Sequence, residues 1–521
     1  MEFDYIIIGG GSAGCVLANR LSANPNHSVL LLEAGPKDRH PFIKIPAAFF
    51  KLYKTSVDWA FYSAPQTELF NRKLFMPRGK TLGGSGSINA MIYIRGHRED
   101  YDGWAAEGCT GWDYDSILPY FKKSEHNVQL KNEFHGEDGP WNIQNQRPHP
   151  ISKMFLDAGA EIGLPVVEDM NANIQECVGI HQVNVKNGAR HSPAAAFLKP
   201  VLHRKNLSVK TGIRVKRIVI ENKTATGVEI EHGRATETIR CRKEVILSAG
   251  AIHSPMILMN SGIGPASELE KHKITPIHIL KGVGENLQDH PVVPIIYRAK
   301  PKSTLDTEET AGNIMRWLFR KKGPMTSNLA EGGGFFKTNQ TLNSPDIQIH
   351  FAPAFFVDHG FTRPKGNGIS ATPILVKPKS RGSIKLSDSN AHEPLIDPAV
   401  FTHPDDLPVF IEGFKRVHKL LNAKALSGVV TGLFSPENEP ENDAEIEQYI
   451  RKNAELLYHP VGTCKMGTDD WAVVDPELKV HGIQKLRVVD ASVMPSVTRG
   501  NTHAPTIMIA EKAADIILNQ N

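Results

Sequence analysis

The sequence of residues 3–14, FDYIIIGGGSAG, decides the fold at the start of this chain. It joins a short apolar run to a cluster of glycines. Residues 15–21 (CVLANRL) then have helical spacing, and residues 28–32 (SVLLL) form a second apolar run that ends before Glu33. This order of strand, glycine turn, helix and strand is that of the dinucleotide-binding fingerprint G-x-G-x-x-G. The sequence therefore predicts a nucleotide-binding α/β unit.

The glycines and the acid of this fingerprint have separate physical roles. Gly9 allows a tight turn out of the strand, and Gly11 lets the backbone approach a pyrophosphate. Gly14 lets the helix pack close to the sheet. The N–H groups at the helix start face phosphate oxygens. The carboxylate of Glu33 accepts hydrogen bonds from ribose hydroxyls and repels a 2′-phosphate.

Length and composition indicate a globular protein with two large domains. The chain has 521 residues, of which 40% are hydrophobic and 22% are charged. Lys and Arg number 60 against 56 for Asp and Glu, which favours neither nucleic acid nor an anionic membrane as the main partner. The five cysteines are isolated, so we expect neither a disulfide framework nor a metal site.

The sequence also bears on location. The fingerprint begins in the strand that opens the chain, so we expect no signal peptide. No apolar run approaches the roughly 18 residues that a membrane-spanning helix needs. We therefore expect a cytoplasmic protein with no transmembrane segment, and peripheral contact with the inner face of the membrane stays open.

A second glycine-rich stretch, PRGKTLGGSGSIN, occupies residues 77–89. Its run of glycines and serines cannot form a core, but its backbone can lie against a flat or anionic group. Residues 88–94 (INAMIYI) return to apolar spacing, so the loop leads into buried structure. This context argues against a flexible linker.

The pattern changes between about residues 292 and 455. Short strand-like runs over 292–297, 333–337, 347–351, 372–376 and 383–386 accompany helical spacing over 407–421 and 444–452. The region contains no glycine-rich phosphate loop. We expect a separate antiparallel sheet with helices, suited to covering a substrate.

The C-terminal part returns to residues that can do chemistry. The segment YHPVGT contains His459, and GNTHAPT contains His503 at the predicted start of the last helix. Asp490 follows a short apolar strand. A lone histidine in apolar surroundings is more often structural, but two histidines beside glycine turns favour a catalytic role.

These motifs together resemble the glucose–methanol–choline family of FAD-dependent oxidoreductases over essentially the whole chain. The first family signature corresponds to Gly79–Asn89 and continues to Asp102, and the second corresponds to residues 250–264. The resemblance is nearest to bacterial alcohol, sorbose and choline dehydrogenases. It implies an α/β fold, with a Rossmann-like FAD-binding domain and a substrate domain whose mainly antiparallel sheet is flanked by helices. The expected FAD-binding segments are 1–145, 192–292 and 456–521, and the substrate segments are 146–191 and 293–455.

The resemblance also implies the residues that bind FAD. The pyrophosphate would be held by Gly9, Gly11, Ser12, Ala13 and Gly14, the adenosine ribose by Glu33, the adenine by Val215, the middle of the FAD chain by Asp490, and the flavin and ribityl side by Gly83, Gly84, Asn89 and Ile92. Some members attach flavin to a histidine just before the signature asparagine. Ile88 stands at that position here, so we expect noncovalent FAD.

The same resemblance implies the reaction. His459 stands where the family has its catalytic histidine, and His503 where it has histidine or asparagine. An alcohol would give a hydride to flavin N5 and a proton to His459, while His503 orients the alcohol oxygen; the reversed roles stay open. A histidine near its ordinary pKa of about 6.5 suits this task. The expected partners are a small alcohol and an electron acceptor, which could be a quinone, another carrier or oxygen.

Three other interpretations remain. Residues 10–14 (GGSAG) match the G-x-S-x-G elbow of α/β-hydrolases, but that elbow needs earlier strands that this chain lacks. The fingerprint alone would suit a nicotinamide dehydrogenase, although the second glycine loop favours the longer flavin dinucleotide. A non-catalytic flavin-binding protein would not need paired histidines.

Overall fold

In the computed structural model, which describes residues 1–232 and 235–520, the described chain builds two main sheets. The first sheet runs in the order Leu207–Thr211, Val29–Glu33, Glu2–Ile8, Ala235–Leu247, Thr224–His232 and Arg214–Glu221, with Leu486–Val488 paired to Ala235–Leu247. Glu2–Ile8 is parallel to both of its neighbours. The apolar runs of the sequence thus form the buried parallel centre of a sheet.

The glycine turn joins this sheet to the first helix, α1 (Ser12–Leu21). Gly9 has a φ of +103°, and a Cβ at this position would lie 2.4 Å from the Ser248 carbonyl oxygen. A Cβ on Gly14 would lie 1.9 Å from the Gly9 carbonyl oxygen. Two of the fingerprint glycines are therefore required by close packing of the protein with itself.

The second sheet is antiparallel, as the sequence predicts. Its strands run in the order Val430–Ser435, Ile295–Ala299, Asn367–Leu375, Ile347–Ala352, Gly332–Phe336 and Cys177–Ile180, and Pro291–Val292 and Glu455–Leu456 join its margin. Smaller pairs and ribbons comprise Phe61–Tyr62 with Phe75–Met76, Glu125–Asn127 with Trp141–Asn145 and Gln182–Val183, Val185–Lys186 with Ala189–Arg190, Ile263–Gly264 with His278–Ile279, and Ser383–Ser387 with Asn390–Asp397.

Helices cover both sheets. After α1 they are α2 (Arg98–Ala106), α3 (Tyr114–Ser124), α4 (Pro150–Glu161), α5 (Gly250–Asn260), α6 (Ala266–Lys271), α7 (Ala311–Arg320), α8 (Asp406–Leu421), α9 (Lys424–Ser427), α10 (Asp443–Asn453) and α11 (His503–Gln520). The last helix, α11, packs on α1, and α8 packs on the second sheet. The structure thus confirms an α/β fold with a flanked antiparallel sheet.

Helix α5 corrects a sequence-based expectation. Ser254 followed by Pro255 is typical of a helix start, because proline suits the first turn, and the sequence therefore predicts a helix from Ser254. The helix begins instead at Gly250, whose N–H donates to Asp490 Oδ2 at 2.9 Å. Pro255 therefore lies inside the helix and cannot donate to the Ala251 carbonyl. The Thr463 hydroxyl donates to that carbonyl instead, at 2.6 Å. A distant side chain thus satisfies the helix where the local sequence predicts a boundary.

Residues 192–202 also differ from what their sequence predicts, which is a helix capped by Ser192. The segment consists of a π-helical turn at Ala194–Leu198 followed by a 3-10 turn at Lys199–Val201. Ser192 acts as the expected cap, since its hydroxyl accepts from the Ala195 N–H at 3.3 Å.

The segment boundaries of the two domains stay a prediction. Residues 233, 234 and 521, which the expected FAD-binding segments include, lie outside the described residues. Among the helices of the described residues, none is both long and apolar enough to cross a bilayer.

Candidate active site

A continuous cavity of about 600 Å³ brings most of the predicted site residues together. Its wall includes Gly9, Gly11, Ser12, Ala13, Glu33, Gly84, Asn89, Ile92, Val215, His459, Asp490 and His503. Gly14 and Gly83 lie outside this wall. The glycine fingerprint and both histidines, separated by more than 400 residues along the chain, thus share one cavity.

Glu33 is tied to the backbone of the glycine loop. Its carboxylate accepts from the Gly10 N–H at 2.8 Å and from the Gly35 N–H at 2.7 Å. Burial raises the pKa of Glu33 to about 7. Each carboxylate oxygen keeps a second lone pair, so this side chain can still accept from a ribose hydroxyl in the cavity.

The two glycine-rich loops contact each other directly. The Gly83 N–H donates to the Gly10 carbonyl at 2.7 Å, and a Cβ on Gly84 would lie 2.8 Å from Gly11 Cα. Gly14 and Gly83 therefore support the residues that line the cavity. The second loop therefore lies against the fingerprint loop and lines the same cavity, and it is not a linker.

The fingerprint loop and the start of α1, residues 9–14, form a nucleotide cradle with room for the pyrophosphate of a dinucleotide. Helix α1 begins at Ser12 without a side-chain cap, so the N–H groups of its first turn are available to an anion at the cavity wall. A Cβ on Gly11 would point into open space, with its nearest neighbour, the Ser248 carbonyl oxygen, 3.9 Å away. A ligand can therefore occupy the space in front of Gly11. The space in front of Gly14 is filled by the Gly9 carbonyl.

His459 is held by residues from two other segments. Its backbone N–H donates to Asp289 Oδ1 at 2.7 Å, and the same oxygen accepts from the His290 N–H at 2.8 Å. Its Nδ1 lies 3.0 Å from His290 Nδ1, and its Nε2 lies 3.3 Å from Asn501 Nδ2. The Asn501 amide is oriented by Gln348, whose Nε2 donates to Asn501 Oδ1 at 3.4 Å.

His503 is positioned by Asn89 of the second glycine loop. His503 Nδ1 lies 3.0 Å from Asn89 Nδ2, while Asn89 Oδ1 accepts from Arg190 Nη1 at 2.7 Å. Among the described residues, His503 Nε2 has no hydrogen-bond partner, and a Cβ on Gly86 would approach it to 2.7 Å. His503 Nε2 is therefore buried against Gly86, although other atoms of this residue line the cavity.

These contacts decide which nitrogen of each imidazole carries the proton. An amide nitrogen only donates, so Asn89 Nδ2 donates to His503 Nδ1, and neutral His503 carries its proton on Nε2. By the same rule, Asn501 Nδ2 donates to His459 Nε2. Neutral His459 then carries its proton on Nδ1 and donates it to His290 Nδ1. In this arrangement His459 Nε2 accepts from Asn501, and His503 Nε2 carries a proton and is buried against Gly86.

Burial keeps both histidines neutral. It lowers the pKa of His459 well below its ordinary value, and the nearby His290 and His350 lower it further. It also lowers the pKa of His503 to about 3. The expectation of an ordinary pKa near 6.5 was therefore wrong, because the surrounding protein removes the imidazoles from bulk solvent. Both imidazoles are therefore neutral at physiological pH, and both are weaker bases than a histidine in water.

Sequence reasoning missed several residues of the site. Asp289 and His290 end the loop GVGENLQDH at residues 282–290, and an Asp-His pair after a glycine loop was the available signal. Burial raises the pKa of Asp289 to about 7. His350 also lines the cavity, but it lies within a strand of the second sheet, and its sequence context gives no signal.

Comparisons with known proteins all match this chain to oxidoreductases. Profiles described as GMC oxidoreductase match residues 3–292 and 378–510. The chain is 43% identical to "Alcohol dehydrogenase [acceptor]" of Pseudomonas putida, covering 99% of this chain and 96% of that protein. It is 40% identical to "Oxygen-dependent choline dehydrogenase" of Brucella anthropi, covering 100% and 96%. Its fold matches the crystal structure of pyridoxine 4-oxidase from "Mesorbium loti" with a TM-score of 0.91 and 32% identity, covering 98% of both chains.

Proposed function

Because this chain belongs to the glucose–methanol–choline (GMC) family of oxidoreductases, we propose that it oxidises an alcohol to an aldehyde or ketone through His459 and His503. It is an FAD-dependent enzyme that acts on CH–OH donors. The observation that carries the proposal is that His459 and His503 line one cavity together with the nucleotide cradle.

FAD, when bound, supplies the hydride acceptor. His459 Nε2 takes the hydroxyl proton of the alcohol as the carbon loses its hydride. The alcohol oxygen replaces Asn501 Nδ2 at the Nε2 lone pair, and the donation from Nδ1 to His290 keeps that lone pair on Nε2. His503, whose unpartnered Nε2 lies against Gly86, donates to the alcohol oxygen once that oxygen reaches it and so fixes its orientation. Asp289 holds the backbone of His459 and thereby the direction of its imidazole.

We propose an alcohol with an apolar chain or ring as the substrate. Away from the fingerprint loop, the cavity wall carries the apolar or aromatic side chains of Phe49, Tyr53, Leu329, Phe356 and Phe434. The same wall includes Asp358, His359 and the ion pair of Arg72 with Glu455. The apolar and aromatic side chains favour burial of apolar surface over the desolvation of a charged group. The Pseudomonas relative is named an alcohol dehydrogenase, which supports an alcohol as the substrate.

An anaerobic flavin-reduction screen tests both the proposed reaction and the proposed substrate class. Primary aliphatic, secondary, aromatic and polyol alcohols and choline are mixed with the oxidised holoenzyme, and bleaching of the flavin absorption is followed. We expect aliphatic or aromatic primary alcohols to bleach the flavin fastest. Faster bleaching by choline or polyols would exclude the apolar substrate class. Failure of every alcohol would exclude the reaction and favour a non-catalytic flavoprotein. Repeating the turnover with oxygen and with a quinone separates the two kinds of acceptor.

We further propose that FAD is held without a covalent bond. Ile88 lines the cavity at the position where some family members carry a histidine, and it has no group that could bond to flavin. His97 is engaged elsewhere, because its Nδ1 accepts from the Glu99 N–H as the cap of α2. Acid precipitation should release all the flavin into the supernatant. Flavin fluorescence on the protein band of a denaturing gel would contradict the proposal.

The hydrolase and nicotinamide interpretations lose support. The matching profiles and the similar solved structures are those of FAD-dependent oxidoreductases, which are neither hydrolases nor nicotinamide dehydrogenases. Ser12, the nucleophile of the hydrolase interpretation, is the first residue of α1 and lines the cavity beside Gly11.

A further inference from the structure

Helix α7 presents an apolar face to the outside of the protein. Ile314, Met315, Leu318 and Phe319 share one side of the helix and are all exposed, with 78% of the Phe319 surface accessible. Scattered exposed apolar residues are ordinary on a protein surface, but a contiguous patch on one helix marks an interaction site. Neither the cradle nor the histidine pair uses this helix.

The helix is fixed with this face outward. Trp317, on its opposite side, is 3% exposed, and its Nε1 donates to the Gly188 carbonyl at 2.7 Å. The Thr310 hydroxyl caps the helix by accepting from the Asn313 N–H at 3.2 Å. The Lys321 ammonium lies 3.5 Å from the Trp317 ring centroid. Rotation of the apolar face toward the core would break these contacts.

The same segment concentrates positive charge. Arg316, Arg320, Lys321 and Lys322 lie within it, and residues 310–323 contain no acidic residue. The whole chain has a formal net charge of only +4, so this charge is a local property. A helix with one strongly apolar face and flanking cations is typical of attachment in the plane of a membrane interface.

We propose that α7 docks the protein onto an anionic lipid bilayer. Its four apolar side chains enter the boundary between headgroups and acyl chains, and its cations contact anionic headgroups. A second copy of the chain fits this surface less well. A stable protein–protein interface takes about 20–30 residues on each side, whereas α7 has 10 residues.

Docking would also bring the cavity wall toward the lipid. Helix α7 packs on the turn Pro324–Thr326, and that turn packs on Pro46–Leu52. Phe49 of the latter segment lines the cavity. The docking proposal itself does not depend on the reaction, because binding to lipid is measured without turnover.

Sedimentation of the holoenzyme with vesicles tests this proposal. Vesicles of phosphatidylcholine with about 30 mol% phosphatidylglycerol are compared with phosphatidylcholine alone, since anionic lipid should attract the cations. Flavin absorption in pellet and supernatant gives the bound fraction. We expect binding to the anionic vesicles that weakens with salt. The triple variant Met315→Ser/Leu318→Ser/Phe319→Ser should bind at least roughly tenfold more weakly, because it loses the buried apolar surface.

Two further variants separate the contribution of the cations from a general effect of removing exposed apolar side chains. Arg316→Gln/Arg320→Gln/Lys322→Gln should weaken binding by roughly fivefold per charge and reduce its salt dependence. Ile174→Ser/Leu202→Ser/Ile279→Ser removes three exposed apolar side chains elsewhere and should bind as the wild type does. Flavin content shows that each variant is folded. Absence of binding to anionic vesicles, or equal binding by the Met315/Leu318/Phe319 variant, would overturn the proposal. Conversion of a wild-type dimer to a monomer by that variant would assign the face to a second copy instead.

Discussion

The nucleotide cradle and the histidine pocket share one cavity but are built in opposite ways. The cradle comes from residues close in sequence, and its functional atoms are backbone N–H groups exposed by glycines. The pocket comes from side chains of distant segments, where Asn89 positions His503 and Asp289 positions His459. A side chain added at a cradle glycine that packs against the protein itself, such as Gly14, should therefore destroy the cradle together with the fold. A change in the pocket should alter the chemistry and leave the fold and FAD in place.

The largest expected effect comes from Gly14→Ala. The added Cβ would lie 1.9 Å from the Gly9 carbonyl oxygen, so α1 must move away from the sheet. The loss should approach the whole net stability of a domain, about 5–15 kcal/mol. We expect little soluble protein and no bound flavin. The control is Gly103→Ala in α2, where a Cβ meets no heavy atom within 4 Å. Equal yields of the two variants would show that the close packing at Gly14 is not required.

The next effect separates binding from folding within the cradle. Gly11→Val places its side chain in the open space in front of Gly11, so the protein should fold but lose FAD. We expect native-like circular dichroism and a purified protein without flavin absorption. If this variant carries stoichiometric FAD, the loop is not the pyrophosphate site.

In the pocket, Asp289 is expected to act through hydrogen bonds rather than charge. Asp289→Ala removes the acceptor of the His459 and His290 N–H groups and should slow flavin reduction by about 10²-fold, since small displacements of catalytic groups have such effects. Asp289→Asn keeps an acceptor oxygen and should restore most of the rate. FAD content should stay at the wild-type level in both. An Asn variant as slow as the Ala variant would show that the negative charge is needed.

The smallest effect is expected for His503→Asn. An amide can still donate to the alcohol oxygen, so flavin reduction should stay within about tenfold of wild type. Abolished reduction would assign His503 an acid–base role.

The same variant should change the pH dependence of stability. The pKa of His503 is about 3 in the folded protein, below its ordinary value, so the unfolded chain binds more protons below about pH 6.5. The wild type should therefore lose stability on acidification through this range, by about 1 kcal/mol per pH unit from this residue. His503→Asn should lack that part of the loss. Asp289, whose raised pKa acts in the opposite direction, is common to both proteins. Parallel thermal midpoints of the two proteins from pH 7 to 5 would contradict this prediction.

The contrast also explains what could be predicted from sequence. The fingerprint glycines and the antiparallel second sheet follow from local spacing, and the structure confirms that fold. The start of α5 could not be predicted, because Asp490 and Thr463 support it from far along the chain. Helix α7 was missed, because local periodicity does not show which face of a helix the rest of the chain covers.

The candidate site likewise contains residues that local motifs predict and residues that only the tertiary fold reveals. His459 and His503 stood out because each lies in a motif that resembles a family signature, and their roles stay predictions. The sequence did not indicate Asp289, His290 and Arg190. Their roles depend on contacts with residues more than 100 positions away along the chain. Such contacts depend on the tertiary fold, and one sequence read locally does not contain them.

The proposed reaction depends on His459, which takes the proton of the alcohol. The most direct test is anaerobic stopped-flow reduction of the flavin by a saturating alcohol, with wild type and His459→Ala at equal FAD content. Loss of a positioned general base should slow reduction by roughly 10²–10⁴-fold. The visible spectrum of the bound flavin should persist. Reduction of the variant at a rate near that of the wild type, with FAD bound, would contradict the account.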